Sequence, residues 1–224
     1  MSTSNLKRVT LNLPASREEL AGLELGTVVT LTGRIFTARE GVYKRAVEDG
    51  HGLPASRDEM GSANFHCSPA ASIGDDGSFN VGAVTATASF RFAKWLDGWF
   101  ELSGCNIIIG KGGMTSEIYK RSFVPAGAIY LTTVGYGTGA LLGRGIKNVA
   151  AAHWRDELGL AQAIWVLEVE EMGPFLVEGD AEGNSLFERE NTKVAAGIEA
   201  AYAGTRPATM QRYGELDDKT KEVI

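Results

Sequence analysis

The run Ile107-Ile108-Ile109 carries apolar, β-branched side chains at consecutive positions and stops at once in Gly110-Lys111-Gly112-Gly113. A short, continuous apolar run of this kind reads as a buried strand, and a buried strand needs a core around it. At 224 residues and 44% hydrophobic, the chain is long enough to supply one, as one large domain or one domain with extensions. Strand-like runs and helical spacings are interleaved along the chain without a regular βαβ rhythm. The expected fold is therefore a mixed α/β domain, in preference to a doubly wound one.

Local signals place the elements. Arg8 to Pro14 alternates as a short strand, and Ser16 and Glu19 have the capping-box spacing of a following helix. Gly26 to Thr37 is rich in β-branched residues and ends at Ala38-Arg39-Glu40, where helical spacing takes over as far as Asp49. Arg39 thus sits where a strand passes into a helix. Residues 50–63, with Pro54 and three glycines, read as a loop. Strand signal returns at Asn64 to Cys67 and from Phe79 to Phe92, around the turn Gly74 to Gly77. Phe92, Trp95, Leu96 and Trp99 have helical spacing. Ala126 to Thr133 and Ala163 to Val169 read as strands, the second with Trp165 in the core. Tyr136 to Val149 reads as a Gly- and Ala-rich turn and helix, and Gly173 to Phe187 as a hairpin turning at Gly179 to Asn184. An amphipathic helix, Asn191 to Ala203, precedes a charged tail.

Charge and cysteine usage narrow the function classes. The formal charge of -6 argues against a nucleic-acid surface or an anionic membrane as partner, both being negative themselves. The opening Met-Ser-Thr-Ser-Asn-Leu-Lys-Arg lacks the apolar core of a signal peptide, and no segment is apolar without interruption for 18 residues, so a cytoplasmic location is expected. Cys67 and Cys105 are far apart and encode neither a disulfide framework nor a cysteine-ligated metal site, and they read as small core residues. His66 and His153 likewise lack partner spacing and read as structural.

Lys111, wrapped in glycines, is the first candidate functional residue. A phosphate-binding P-loop would need Gly-x-x-x-x-Gly-Lys followed by Ser or Thr. Here Gly104 stands one residue too far upstream and Gly112 follows the lysine. The dinucleotide pattern fails too, because Thr115 occupies the place of its last glycine. On the loop alone, a plain tight turn with a solvated lysine stays open.

Residues elsewhere break that tie. Thr37-Ala-Arg-Glu40, then Thr87 four residues before Arg91, then Gly110-Lys111-Gly112 with Lys111 twenty residues after Arg91, together resemble the beta subunit of iron-sulfur hydro-lyases. That family comprises L(+)-tartrate dehydratase and class I fumarases, in which T-A/C-R-D, G-P-T-T-x-x-R-M and I/V-G-K-G recur in this order. The resemblance continues in Ala152-His-Trp-Arg-Asp-Glu-Leu-Gly159, Ala163 to Phe175 and Asp180-Ala-Glu-Gly-Asn184, covering roughly residues 20 to 203. It is closer to tartrate dehydratase beta subunits than to fumarase C-terminal domains.

The resemblance implies a single mixed-sheet domain of the swivelling β/β/α type over 20–203, between an N-terminal extension (1–19) and the charged tail (204–224). It also implies a [4Fe-4S] cluster whose cysteine ligands come from an alpha subunit, a heterotetramer with that partner, and removal of water from a 2-hydroxy dicarboxylate. Arg39, Arg91, Lys111 and Gly112 would bind the substrate, since guanidinium offers paired donors to a carboxylate and lysine adds a compact charge. Glycine would let substrate and backbone approach closely. Lys111 would also stabilise the aci-carboxylate formed as the proton leaves, with Thr87 as the candidate base. Departures are Thr85-Ala86 for the family's Gly-Pro, Ala88 for its second threonine, Tyr43 for a histidine, and Ser68-Pro69 in a further Gly-Pro phrase. Lying around the pocket, they suggest a larger or differently substituted diacid. A non-catalytic binding or assembly subunit of the same fold is the alternative.

Overall fold

The computed structural model describes residues 6–135 and 138–204. The expected tail past Gly204, residues 1–5 of the expected extension, and Tyr136-Gly137 at the head of the expected turn and helix lie outside the described residues. Two compact units divide the chain, Met1–Glu188 and Arg189–Ile224. Among the described residues the second is helical over 189–202 and exposes Val194, Ile198 and Tyr202 on successive turns.

The first unit is the mixed α/β domain expected. Its strands are β1 (Arg8–Asn12), β2 (Val28–Thr37), β3 (Ala63–Phe65), β4 (Cys67–Ile73), β5 (Phe79–Ala86), β6 (Ile107–Gly110), β7 (Ile129–Thr133), β8 (Ile146–His153) and β9 (Ile164–Gly179). Seven form the main sheet in the order β1-β2-β3-β6-β7-β9-β8, while β4 and β5 pair separately. From β1 to β7 the neighbours are parallel, and β9 runs antiparallel to β2, β7 and β8. Because β9 pairs with β2 over Val166 to Leu176 and with β7 over Phe175 to Gly179, the ladder β2-β3-β6-β7-β9 returns to β2 and closes into a ring.

Closure explains the isoleucine run. Successive strand residues face opposite sides. Ile107 and Ile109 join one fully packed cluster with Leu31, Leu131, Leu167 and Phe175. Ile108 joins a second, with Tyr43, Trp99, Phe123 and Tyr130. With both faces covered, polar residues have no place on this strand.

The Ser16 capping box is formed in full, its hydroxyl accepting from Glu19 N at 3.2 Å while the Glu19 carboxylate accepts from Ser16 N at 2.7 Å. Other local signals were overridden. The expected loop over 50–63 contains the helix Arg57–Met60, started by Ser56, whose hydroxyl accepts from Glu59 N at 3.2 Å. The strand signal from Phe79 to Phe92 ends at Ala86, and Ser89–Trp95 is a 3-10 helix that buries Phe92 and Trp95 together, as three residues per turn requires. Among the described residues of the expected Gly/Ala helix, Gly139–Arg144 is helical, and Ile146 onward pairs with β9 instead. The expected hairpin is a single Gly179–Ser185 bridge, after which Ser185 caps the helix by accepting from Glu188 N at 3.2 Å. Helical turns from Ser116 to Ala126 fill a stretch for which the sequence suggested no element.

Candidate active site

Strands β2, β3 and β6 are neighbours and parallel, so their carboxyl ends share one rim. Main-chain bonds lace that rim together: Ala38 N to Phe65 O (3.1 Å), His66 N to Ile109 O (2.7 Å), Thr87 N to His66 O (2.6 Å) and Lys111 N to Thr87 O (3.1 Å). The segment after β5 thereby lies beside the end of β6, with Ala88 bridging Lys111. Ligands of α/β sheets characteristically bind outside the carboxyl ends of strands.

Four of the five residues singled out in the sequence follow from this lacing. Thr87, Lys111 and Gly112 are brought together by the backbone, and Arg91 stands in the 3-10 helix that continues from Thr87. Arg39 stands just past the end of β2, at the start of the helix Glu40–Tyr43, and its Nη1 donates to Ala161 O at 3.3 Å. Arg91 is exposed, with its guanidinium carbon 5.6 Å from the centre of the Phe92 ring. Lys111 is exposed as well. Among the described residues none of the three cations has a carboxylate partner, and no hydrogen bond or ion pair joins their heads. Beside Lys111 opens a cleft of about 250 Å³ lined by Thr85, Ala86, Thr133, Thr138 and Leu142. Two of the departures noted in the sequence, Thr85 and Ala86, therefore face this cleft. Tyr43 does not line it, being fully buried in the cluster around Ile108.

The glycines around Lys111 divide by purpose. A Cβ on Gly110 would stand 1.8 Å from Ser89 Oγ, and one on Gly113 would stand 2.6 Å from the Glu178 carboxyl carbon. Those two make room for the protein's own groups, correcting the reading of them as clearance for substrate. Gly112 has φ +76° with open space around it, which is the left-handed turn that lets the loop present Lys111.

Beneath the rim lies a buried polar cluster that the sequence did not disclose. His66 bonds Ser89 Oγ through Nδ1 (2.7 Å) and Tyr43 OH through Nε2 (2.6 Å). Tyr43 OH also donates to Asn64 Oδ1 (2.8 Å), and Tyr130 OH donates to Ser89 Oγ (2.8 Å). Burial lowers the His66 pKa to about 3, so its imidazole is neutral at physiological pH. The polar residue within each apolar run, Asn64 in β3 and Ser89 before Phe90, was the available signal.

Both cysteines lie in the core, Cys67 in the Ile107 cluster and Cys105 in the Ile108 cluster. Burial raises both thiols, Cys105 to about 12, and Cys105 Sγ accepts from Ser103 Oγ at 3.2 Å. Among the described residues no group of three or more His, Cys, Asp and Glu is arranged to hold a metal ion.

Comparison with known proteins matches the family described as Fumarase C-terminus to residues 1–190. L(+)-tartrate dehydratase subunit beta of Escherichia coli K12 is 30% identical over 188 residues, 83% of this chain and 89% of its own length. A Methanocaldococcus jannaschii protein provisionally named as the same subunit is 34% identical over 182 residues, 80% of this chain and 91% of its own. A Geobacillus stearothermophilus protein provisionally named fumarate hydratase class I is 30% identical over 188 residues, 84% of this chain but 35% of its own length. On a family match that spans most of its length, the chain belongs to the fumarase C-terminus family.

Proposed function

We propose that this chain is the beta subunit of a [4Fe-4S]-dependent hydro-lyase that reversibly removes water from a 2-hydroxy dicarboxylate, tartrate or malate being the first candidates. The observation that carries this reading is the Lys111 N to Thr87 O bond, which brings Thr87 beside Lys111, a cation with no carboxylate partner among the described residues, with Arg91 in the 3-10 helix that follows. The names of the relatives support the reaction class.

Dehydration needs a Lewis acid at the departing hydroxyl, a base at the adjacent carbon and cations at the carboxylate that gathers charge. Among the described residues no group of three or more His, Cys, Asp and Glu could hold a metal ion; a cluster held by the cysteines of an alpha partner would supply the Lewis acid at the hydroxyl. Arg39 and Arg91 hold the substrate carboxylates as planar paired donors. Lys111 joins them in holding a substrate carboxylate and stabilises the aci-carboxylate that develops, as fixed charge at a developing anion does most to lower such barriers. Thr87 takes the proton, a role its hydroxyl can fill only where neighbouring cations favour the alkoxide. The cleft beside Lys111, with Thr85 and Ala86 in its wall, accommodates a substituent on the diacid. The mixed α/β domain swivels over the partner in a cytoplasmic heterotetramer.

Anaerobic co-expression with an alpha partner bearing three cluster cysteines, followed by a panel of hydroxy diacids scored for loss of water, tests this reading. Turnover of at least one diacid is expected, with R91A lowering it by orders of magnitude in a complex that still assembles. An assembled, cluster-loaded complex that dehydrates none of them would leave the chain a non-catalytic assembly subunit.

A further inference from the structure

Glu178 is fully buried near the end of β9, and among the described residues no cation pairs with it. Its Oε1 accepts from Ser185 Oγ at 2.6 Å and from Phe187 N at 3.4 Å, and its Oε2 accepts from Tyr119 OH. Tyr119 OH in turn accepts from Met114 N at 2.9 Å. Burial raises the Glu178 pKa, while the Ser185 and Tyr119 hydroxyls and the backbone N–H groups favour its ionised form. Packing alone would be served better by an apolar side chain, because a buried carboxylate without a cation is a net expense to the fold.

What it touches gives the reason. Gly113 lies so close that a Cβ there would stand 2.6 to 2.7 Å from the carboxyl group. At its other end the loop is fixed by Lys111 N to Thr87 O and by Ser89 N to Lys111 O at 3.4 Å. Lys111, Gly112 and Gly113 therefore span two anchors, the rim at one side and the Met114–Tyr119–Glu178 chain at the other. Only Gly112, with its positive φ, lies between them without a close neighbour.

We propose that Glu178 is the positioning residue of the glycine-lysine loop: through Tyr119 it fixes Met114 and Gly113, and so sets where Lys111 presents its ammonium to the substrate carboxylate. This rests on the reading of Lys111 as a carboxylate clamp. Removing the chain of bonds frees one end of the loop, so the loss should fall on substrate binding and should vanish once the lysine itself is gone.

Two measurements on the complex with the alpha partner test it. In Y119F and E178Q the amides of Gly112, Gly113 and Met114 should exchange with solvent at least tenfold faster, with Ile107 to Ile109 unchanged. With L(+)-tartrate or malate, KM should rise about tenfold or more and kcat change less, whereas adding E178Q or Y119F to K111A should alter the residual kinetics by less than twofold. Unchanged loop exchange overturns the proposal whatever the activity. So does an E178Q factor that is the same with and without Lys111. A K111A variant of normal activity, with loop exchange faster in Y119F, would instead overturn the clamp and leave Glu178 as the loop's anchor. Should E178Q fail to assemble, Y119F, which deletes one hydroxyl, carries both measurements.

Discussion

Two clefts lie at opposite ends of the same strands. The one at the amino-terminal ends of β3 and β6 measures about 790 Å³, against about 250 Å³ for the one beside Lys111. Yet the arginines of the larger are engaged: Arg34 Nη2 meets Glu168 at 3.0 Å and Nη1 meets the Glu59 carbonyl, while Arg57 donates to the carbonyls of Glu101 and Leu102. Lys111, at the smaller, has no such partner among the described residues. Volume alone would choose the larger cleft as the binding site. Charge left uncompensated by the fold is the better guide here, because an anion can be bound only by groups that have not already found one.

The widest separation should come from alanine substitutions at the two ends. K111A should lower kcat/KM of the assembled enzyme by about 100-fold or more, the usual effect of deleting one donor to a developing anion. R34A, in the larger cleft, should leave it within about twofold. Equal losses from both would break the comparison. Next in size is I108A, on the strand that ends at Lys111. Deleting a fully buried isoleucine side chain costs about 2–5 kcal/mol, measurable by denaturant unfolding, and a far smaller value would mean that the helix-facing side of β6 is poorly packed. The smallest effect is titrational. His66 is neutral in the fold down to about pH 3, whereas the unfolded imidazole takes up a proton below 6.5. The unfolded state therefore binds more protons in that window, and stability falls as pH falls, by up to about 1.4 kcal/mol per unit. H66Q should lose this slope, and parallel pH-stability curves for the two proteins would show that His66 does not stay neutral.

Legibility in the sequence followed the range of the interactions. The isoleucine run, the Ser16 capping box and the glycine-lysine loop are local patterns, and each was readable from its own few residues. Lys111 found its neighbours only through a resemblance spanning Arg39 to Lys111, because Thr87 reaches it across a strand pairing that spacing alone does not encode. Ile146 to Val149 were read as helix because their strand partner lies in β9. Glu178 went unnoticed since its role depends on Gly113 and Tyr119, some 60 residues away in sequence. A charge inside the buried run Phe175 to Gly179 was the one trace it left.

The closed ring also has a history in time. Its last join pairs Phe36 with Val166 and Val28 with Leu176, partners 130 and 148 residues apart. Contacts so distant form late, because the chain between them must first be ordered. During synthesis β2 and β7 therefore wait with open edges until β9 emerges, and open edges invite pairing with other chains. The rim that carries Lys111 takes its final form only with that last strand, and Glu178, near its end, is among the last residues needed.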